Sequence, residues 1–317
     1  MLSVVVPAFN EESGIAPTLQ GVREALGAAG IEHQIIVVDD GSTDRTAEIA
    51  RQMGAQVVAH PTNMGYGAAL RDGILAARHE IVAITDADGT YPVQELARFL
   101  TVITEQGYDM CVGVRGGSEI RRGLLAYPAR LLFRALSEFA TGTRIPDINS
   151  GLRVFRKKIV LDHLSTFGTG FSFSTTLTLV ALLNGHSIKF WPIEYRPRAG
   201  RSKVRLLRDS LRAAQILVEA ILMHNPIKAF LVLAGLTLAA GLAAAGLSLA
   251  PWGRLADRLG LLGTGLIVAS VLIVGLGFVA VVFRRLLGIP RAPAPGSPKP
   301  ERVETASPAQ ERDADRR

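Results

Sequence analysis

One cysteine, Cys111, in 317 residues leaves no partner for an intramolecular disulfide, which fits a reducing cytoplasm. It lies in the apolar run Met110-Cys111-Val112-Gly113-Val114, a packing environment rather than a reactive one. Charge is missing from two long stretches, Ala229 to Gly253 and Leu259 to Phe283. Each is about 25 residues, enough to cross a ~30 Å hydrocarbon core with some tilt. Glycine and alanine recur in both, as suits two helices packed closely in lipid. The first stretch is too far along the chain to be a signal peptide, and Met1-Leu2-Ser3 leads directly into a strand pattern.

What charge there is has a pattern. The formal net charge is +7 at pH 7, yet no RNA-binding aromatic signature or DNA-binding motif accompanies it, so nucleic acid is not an expected partner. Much of the excess flanks the apolar stretches, where basic residues favour an anionic lipid bilayer. Lys203, Arg205, Arg208, Arg212 and Lys228 precede the first, and Arg284, Arg285 and Arg291 follow the second. The connecting segment carries only Arg254 and Arg258, partly balanced by Asp257. The positive-inside rule then expects an integral protein of the cell or inner membrane, with both termini in the cytoplasm and a tight hairpin outside.

Ahead of the hairpin, strand and helix patterns alternate. Apolar, β-branched runs at 3–7, 34–38, 56–59, 80–85 and 110–114 read as strands, with helical stretches near 13–29, 43–53, 65–78 and 92–106. This alternation predicts an α/β domain with a mostly parallel, doubly wound sheet. An apolar helix is expected around 124–139, a turn-rich loop at 145–151 and a further strand at 186–196. Ser42-Thr43-Asp44 offers an N-cap to the helix that follows. Residues 203–224 read as an amphipathic juxtamembrane helix, 227–287 as the two-helix transmembrane hairpin and 288–317, rich in Pro, Ala and charge, as a disordered tail.

Asp86-Ala87-Asp88 follows the fourth strand, so two carboxylates stand at the carboxyl end of a buried strand, where open α/β sheets bind ligands. Two acids one residue apart call for a positive partner. Hard oxygen donors favour Mg2+ or Mn2+, usually shared with a phosphate-bearing ligand, which points towards a nucleotide-sugar enzyme. Such pairs also occur as plain turn or capping residues, so the neighbouring motifs decide.

Those neighbours are Val5-Val6-Pro7-Ala8-Phe9-Asn10-Glu11-Glu12, Val37-Val38-Asp39-Asp40-Gly41-Ser42-Thr43-Asp44, Asn63-Met64-Gly65-Tyr66-Gly67, and Asp147-Ile148-Asn149-Ser150-Gly151. In this order, around Asp86-Ala87-Asp88-Gly89, they closely resemble glycosyltransferase family 2 of the GT-A fold, in particular its polyisoprenyl-phosphate type. The resemblance covers roughly 1–205, and it implies a GT-A domain over 1–202. It further implies a metal-dependent, inverting transferase that moves a hexose from a nucleotide sugar of the GDP-mannose or UDP-glucose type to polyprenyl or dolichyl phosphate. Relatives in that group are often homo-oligomeric.

The resemblance also distributes roles. Pro7, Phe9, Glu11, Asp40, Asp86 and Ala87 fall to the nucleotide, with Asp40 on the nucleoside and one of Asp39 and Asp40 capping the next helix. Asp86 and Asp88 hold the metal. Arg115, Arg121, Arg122, Arg201 and Lys203 meet the acceptor phosphate, and Asp88, Asp147 and Arg115 carry the catalytic role. Asp147 either orients acceptor or sugar, or caps its own turn. Where some relatives have a glutamine ligand this chain has Thr90, which puts a third protein ligand to the metal in doubt. Where relatives often place an acid, the chain has Phe171-Ser172-Phe173-Ser174-Thr175-Thr176, whose hydroxyls remain available to a sugar; His60 and His163 receive no catalytic role. A polysaccharide synthase with a different acceptor would carry a Gln-x-x-Arg-Trp element, which neither Trp191 nor Trp252 supplies. A catalytically degenerate membrane scaffold is opposed by the intact Asp86, Asp88 and Asp40.

Overall fold

The computed structural model describes residues 1–116, 127–168, 170, 172–196, 215, 218 and 226–286. Arg121, Arg122, Arg201 and Lys203 lie outside the described residues, as do almost all of 203–224 and the whole of 288–317.

A seven-stranded sheet runs β3-β2-β1-β4-β6-β5-β7. Its strands are β1 (Leu2–Ala8), β2 (His33–Asp39), β3 (Gln56–Ala59), β4 (Ile81–Ile84), β5 (Met110–Arg115), β6 (Arg153–Arg156) and β7 (Ile188–Ile193). β1 pairs in parallel with β2 and β4, β2 with β3, and β5 with β7. β6 alone runs the other way, wedged between β4 and β5. The sheet is mostly parallel, as expected, and β6 makes it a mixed one. A four-residue strand with arginine at each end carries too little apolar pattern to be read as a strand from sequence.

Both faces of the sheet are covered, which is why the strands read as continuous apolar runs. In β1, Val4 and Val6 pack on one side with Ile15, Leu19, Val22 and Leu26 of α1 (Ile15–Ala28) and Phe99 and Ile103 of α4 (Leu96–Thr104). Val5 points the other way, with Ile36, Val38, Val82 and Ile84, onto Leu70 and Ile74 of α3 (Tyr66–Ala76). Full burial of each such side chain contributes about 1.5–3 kcal/mol. The short helix α2 (Thr46–Gln52) has Arg45 at its N-cap position with no side-chain cap, and Asp44, one residue earlier, accepts the Thr46 amide at 3.0 Å, so none of the Ser-Thr-Asp triplet is the cap itself.

Three more helices complete the domain: α5 (Tyr127–Thr141), the four-residue α6 (Lys158–Leu161) and α7 (Phe173–Leu183). α7 carries most of the hydroxyl-bearing segment whose side chains were expected to be available to a sugar. Thr176 donates to the Ser172 carbonyl and Thr175 to Asn149 Oδ1, so these two hydroxyls are spent inside the helix and on its neighbour. α5 leaves Leu131, Leu136 and Phe139 exposed, and Lys228 Nζ stands 5.5 Å from the Phe139 ring.

Lys228 lies in the first turn of α8 (Pro226–Leu247), which turns at 248–253 into α9 (Arg254–Leu286). Both are candidate membrane spans, with mean hydropathy of 2.1 and 3.0 over their most apolar stretches. The two touch through glycine: a Cβ on Gly263 would lie 2.7 Å from the Ala245 nitrogen and 2.8 Å from the Gly241 carbonyl. Backbones that close admit no side chain at that crossing.

Cys111 is fully enclosed in the core, and burial pushes its thiol up to about 12. A raised thiol pKa means that thiolate is scarce at any pH below that value. Maleimide at pH 7–9 should leave the native protein unlabelled and add one equivalent after denaturation; rapid native labelling would place Cys111 outside the core.

Candidate active site

The carboxyl ends of β1, β2, β4, β5 and β7 share one edge of the sheet, and because β6 is reversed its amino end joins them. That edge gathers Asp40, Asp86, Asp88, Arg115 and Asp147. Pro7 lies buried within β1, opposite Val38, while Phe9 and Glu11 follow it half-buried. The Glu11 amide donates to Thr46 Oγ1 at 2.9 Å, and the Thr43 amide to Asn10 Oδ1 at 2.8 Å. These bonds lock the loop after β1 to the loop after β2.

Asp40 is 4 % exposed, and its carboxylate is engaged from three directions. It accepts the amides of Met64 and Gly65, both at 2.8 Å, and lies 2.7 Å from His60 Nδ1. His60 Nε2 in turn stands 3.2 Å from Asp72. Asp40 therefore organises the 60–65 loop from which α3 departs. Gly65, at φ 103°, makes that departure in a conformation open to glycine. His60, given no role from sequence, is a direct partner of a motif acid.

Asp86 and Asp88 are both half-buried just past β4. Tyr66, the first residue of α3, donates its hydroxyl to Asp86 Oδ1 at 3.0 Å. Burial, reinforced by the Asp86 charge, raises the Tyr66 phenol well above its usual range, so it remains a donor. Asp88 Oδ1 accepts both the hydroxyl of Thr90 at 2.6 Å and its amide at 3.1 Å. Thr90 thus orients Asp88 and spends its hydroxyl on that carboxylate. Ala87 is packed into the core, and its carbonyl accepts from Thr18 Oγ1 at 3.1 Å.

Across from this pair, Arg115 and Asp147 meet each other. Arg115 Nε donates to Asp147 Oδ2 at 2.8 Å and Nη2 to Oδ1 at 2.9 Å, a two-pronged fork. Asp147 also accepts the Asn149 amide at 3.2 Å, so it caps its own turn while holding the arginine. Burial works against the guanidinium charge, but the bonds to Asp147 outweigh it and raise Arg115 above its ordinary value. The Arg115 head lies 5.6 Å over the Tyr195 ring, which packs edge-on against Tyr91 at 5.0 Å. Tyr91 Oη accepts the Gly151 amide at 2.7 Å. A Cβ on Gly151 would stand 3.1 Å from both carboxylate oxygens of Asp86, so only glycine lets this loop approach the acid so closely.

The sequence pattern of glycosyl transferase family 2 matches residues 3–164. The chain belongs to glycosyltransferase family 2. It is 36 % identical over 209 residues to the dolichyl-phosphate hexose transferase of Haloferax volcanii, covering 64 % of this chain and 86 % of that one. Over 169 residues it is 36 % identical to the undecaprenyl-phosphate 4-deoxy-4-formamido-L-arabinose transferase of Pseudomonas paraeruginosa, covering 50 % of this chain and 48 % of that one. The chain thus spans about half the length of that second relative.

In fold, this family 2 domain is similar to glucosyl-3-phosphoglycerate synthase of Mycobacterium tuberculosis. The TM-score is 0.55 at 23 % identity, over 70 % of this chain and 80 % of that one, and that enzyme was crystallised with Mn2+ and UDP. The GT-A fold expected from the motifs is the fold observed.

The donor set of the family 2 chain fits a hard divalent ion with limits. Two carboxylates from one turn suit Mg2+ or Mn2+. Among the described residues no group of three His, Cys, Asp or Glu side chains is poised for a metal, so the protein offers a pair rather than a cage. Sequence reasoning missed Tyr66, Tyr91, His60 and Arg153. Arg153 left one legible sign, a lone charge inside the apolar run Gly151-Leu152-Arg153-Val154-Phe155.

A double-mutant cycle on Arg115→Ala and Asp147→Ala, read by thermal unfolding, should return a coupling of about 1.5–3 kcal/mol, the range of charge-assisted hydrogen bonds. Simple additivity would show that the fork contributes no stability.

Proposed function

We propose that the chain is a membrane-anchored, inverting glycosyltransferase that moves a hexose from a nucleotide sugar to a polyprenyl or dolichyl phosphate. The observation that carries the reading is the face-off at the carboxyl edge: the Asp86/Asp88 pair on one side and the Arg115–Asp147 fork on the other. One side has the chemistry of a donor diphosphate site and the other that of an anionic acceptor. The apolar pair of helices that follows the domain supports a lipid acceptor, and so do the activities named for the Haloferax and Pseudomonas relatives. The basic flanks of the hairpin favour a catalytic domain on the cytoplasmic side.

In this reading Asp86 and Asp88 hold Mg2+ or Mn2+ against the donor diphosphate. When bound, the ion acts as a Lewis acid that offsets charge on the departing nucleoside diphosphate. Tyr66 and Thr90 keep the two carboxylates in fixed orientations before substrate arrives. Asp40 orders the 60–65 loop beside the nucleotide, and Pro7, Phe9 and Glu11 wall it on the β1 side.

The acceptor needs no strong general base. A phosphate monoester has its second pKa near ~6 and is largely ionised at neutral pH. One of its oxygens forms the new bond to the anomeric carbon as the bond to the diphosphate breaks on the opposite face, which inverts that carbon. Arg115 has two of its three nitrogens committed to Asp147, so its Nη1 edge is the part turned to this task. By the family resemblance, Arg121, Arg122, Arg201 and Lys203, which lie outside the described residues, add positive charge for the acceptor phosphate. Positioning and charge stabilisation, rather than proton transfer, provide the rate.

The test is a transfer assay on purified protein in detergent with undecaprenyl or dolichyl phosphate, Mg2+ or Mn2+, and a panel of GDP- and UDP-sugars. A sugar mass added to the lipid phosphate and lost on chelation is expected. Metal-dependent nucleotide binding without any lipid product would point to another acceptor; neither binding nor product would favour a scaffold. Asp88→Ala should abolish transfer while circular dichroism stays unchanged, and wild-type turnover in that variant would overturn the metal assignment.

A further inference from the structure

Arg153 is fully buried, the largest of the fully enclosed side chains, yet no motif claims it. It sits on β6, level with Ile84 of β4 and with Val112 of β5. Nε donates to the Ser150 carbonyl at 2.7 Å, Nη2 to the Ile148 carbonyl at 2.8 Å, and Nη1 to Thr178 Oγ1 at 2.7 Å. Among the described residues it makes no direct ion pair with a carboxylate. Burial pushes it down to about 10 against the pull of the nearby Asp147 charge, so it is still a cation at neutral pH.

A buried cation on three neutral acceptors is costly unless its geometry is needed. The need is visible in what it grips. Ile148 and Ser150 flank Asn149, whose amide is the one Asp147 accepts. Fixing both carbonyls fixes the turn, and the turn sets where the Asp147 carboxylate stands relative to Arg115. Thr178 belongs to α7 and donates onward to the Ser174 carbonyl at 3.1 Å, which ties the clamp to a buried helix. Thr175 of the same helix holds the Asn149 side chain at 2.6 Å. A planar guanidinium reaches three divergent acceptors at once; a lysine ammonium in the same space does not reproduce that fork.

We propose that Arg153 is a positioning residue for the acceptor half of the site: it clamps the 148–150 turn to α7 and so aims Asp147 at Arg115. The donor-side acids have holders of their own, Asp86 the Tyr66 hydroxyl from α3 and Asp88 its own Thr90, so the clamp bears on the Asp147 side first. Which substrate is affected rests on the function proposed above; the clamp itself does not.

The experiment compares wild type with Arg153→Lys and with Thr178→Val, which keeps the arginine and removes one acceptor. Amide exchange is followed at Asn149 and Gly151, GDP and UDP binding is measured with Mn2+, and KM is determined for undecaprenyl phosphate and for donor. Arg153→Lys should speed exchange at Asn149 and Gly151 about tenfold or more while β1 and β2 amides stay protected. It should raise the acceptor KM about tenfold with nucleotide affinity within about twofold of wild type. Thr178→Val should move both readouts in the same direction by less. Unchanged exchange at 149 and 151 in both variants would overturn the clamp, as would equal losses of nucleotide and acceptor affinity. If the wild type transfers to no lipid phosphate, the functional reading fails, and the exchange data still decide the clamp.

Discussion

The direction of one short strand governs the site. β6 runs against β4, with Arg153 opposite Ile84 and Phe155 opposite Val82. Residues just before β6 must then lie beside residues just after β4, which is why Gly151 comes to rest against Asp86. Had the strand run parallel, like its neighbours, its preceding loop would have emerged at the far edge of the sheet, a strand length away. Pairing β6 with β5 as well carries the same loop across to Arg115, at the carboxyl end of β5. A single reversal thus brings Asp147, Arg115 and Asp86 to one edge from positions far apart in sequence.

The acids at this edge share a second property: each has its own fixed set of donors. Asp40 has two amides and His60, Asp86 has Tyr66, Asp88 has Thr90, and Asp147 has Arg115 and Asn149. Carboxylates held in this way need little rearrangement when a diphosphate or phosphate arrives, which is the condition for electrostatic stabilisation of a transition state. The holding groups come from α3 and the loop before it, from β5 and from the loops after β4 and before β6, so the packing of the sheet is transmitted to the site. The base of the hairpin touches the same body, through Lys228 of α8 and Phe139 of α5.

Much of this was legible in the chain. Alternating apolar strands and helices led to an α/β domain, the charge-free stretches to two long apolar helices, and five ordered motifs to family 2 and the GT-A fold. Local chemistry carries such signals, because a strand buried on both faces and a helix long enough to span lipid each need a continuous apolar run. β6 and α7 escaped for the complementary reason. Arg153-Val154-Phe155-Arg156 is too short and too charged at its ends to show a period, and Thr175, Thr176 and Thr178 carry hydroxyls whose use is fixed only once a helix directs them to its own carbonyls and to Asn149.

The sequence by itself determined which residues have the chemistry: the paired acids after β4, the acid after β2, an arginine closing β5 and an acid opening the loop before β6. Tertiary structure decided whom each one meets. Asp40 turned to the 60–65 loop, Thr90 to Asp88, Arg115 to Asp147, and Arg153 was enclosed against the 148–150 turn. The physical reason is separation along the chain. Arg115 and Asp147 are joined by no local periodicity, and only the antiparallel register of β6 against β4 and β5 puts their charges within hydrogen-bonding distance.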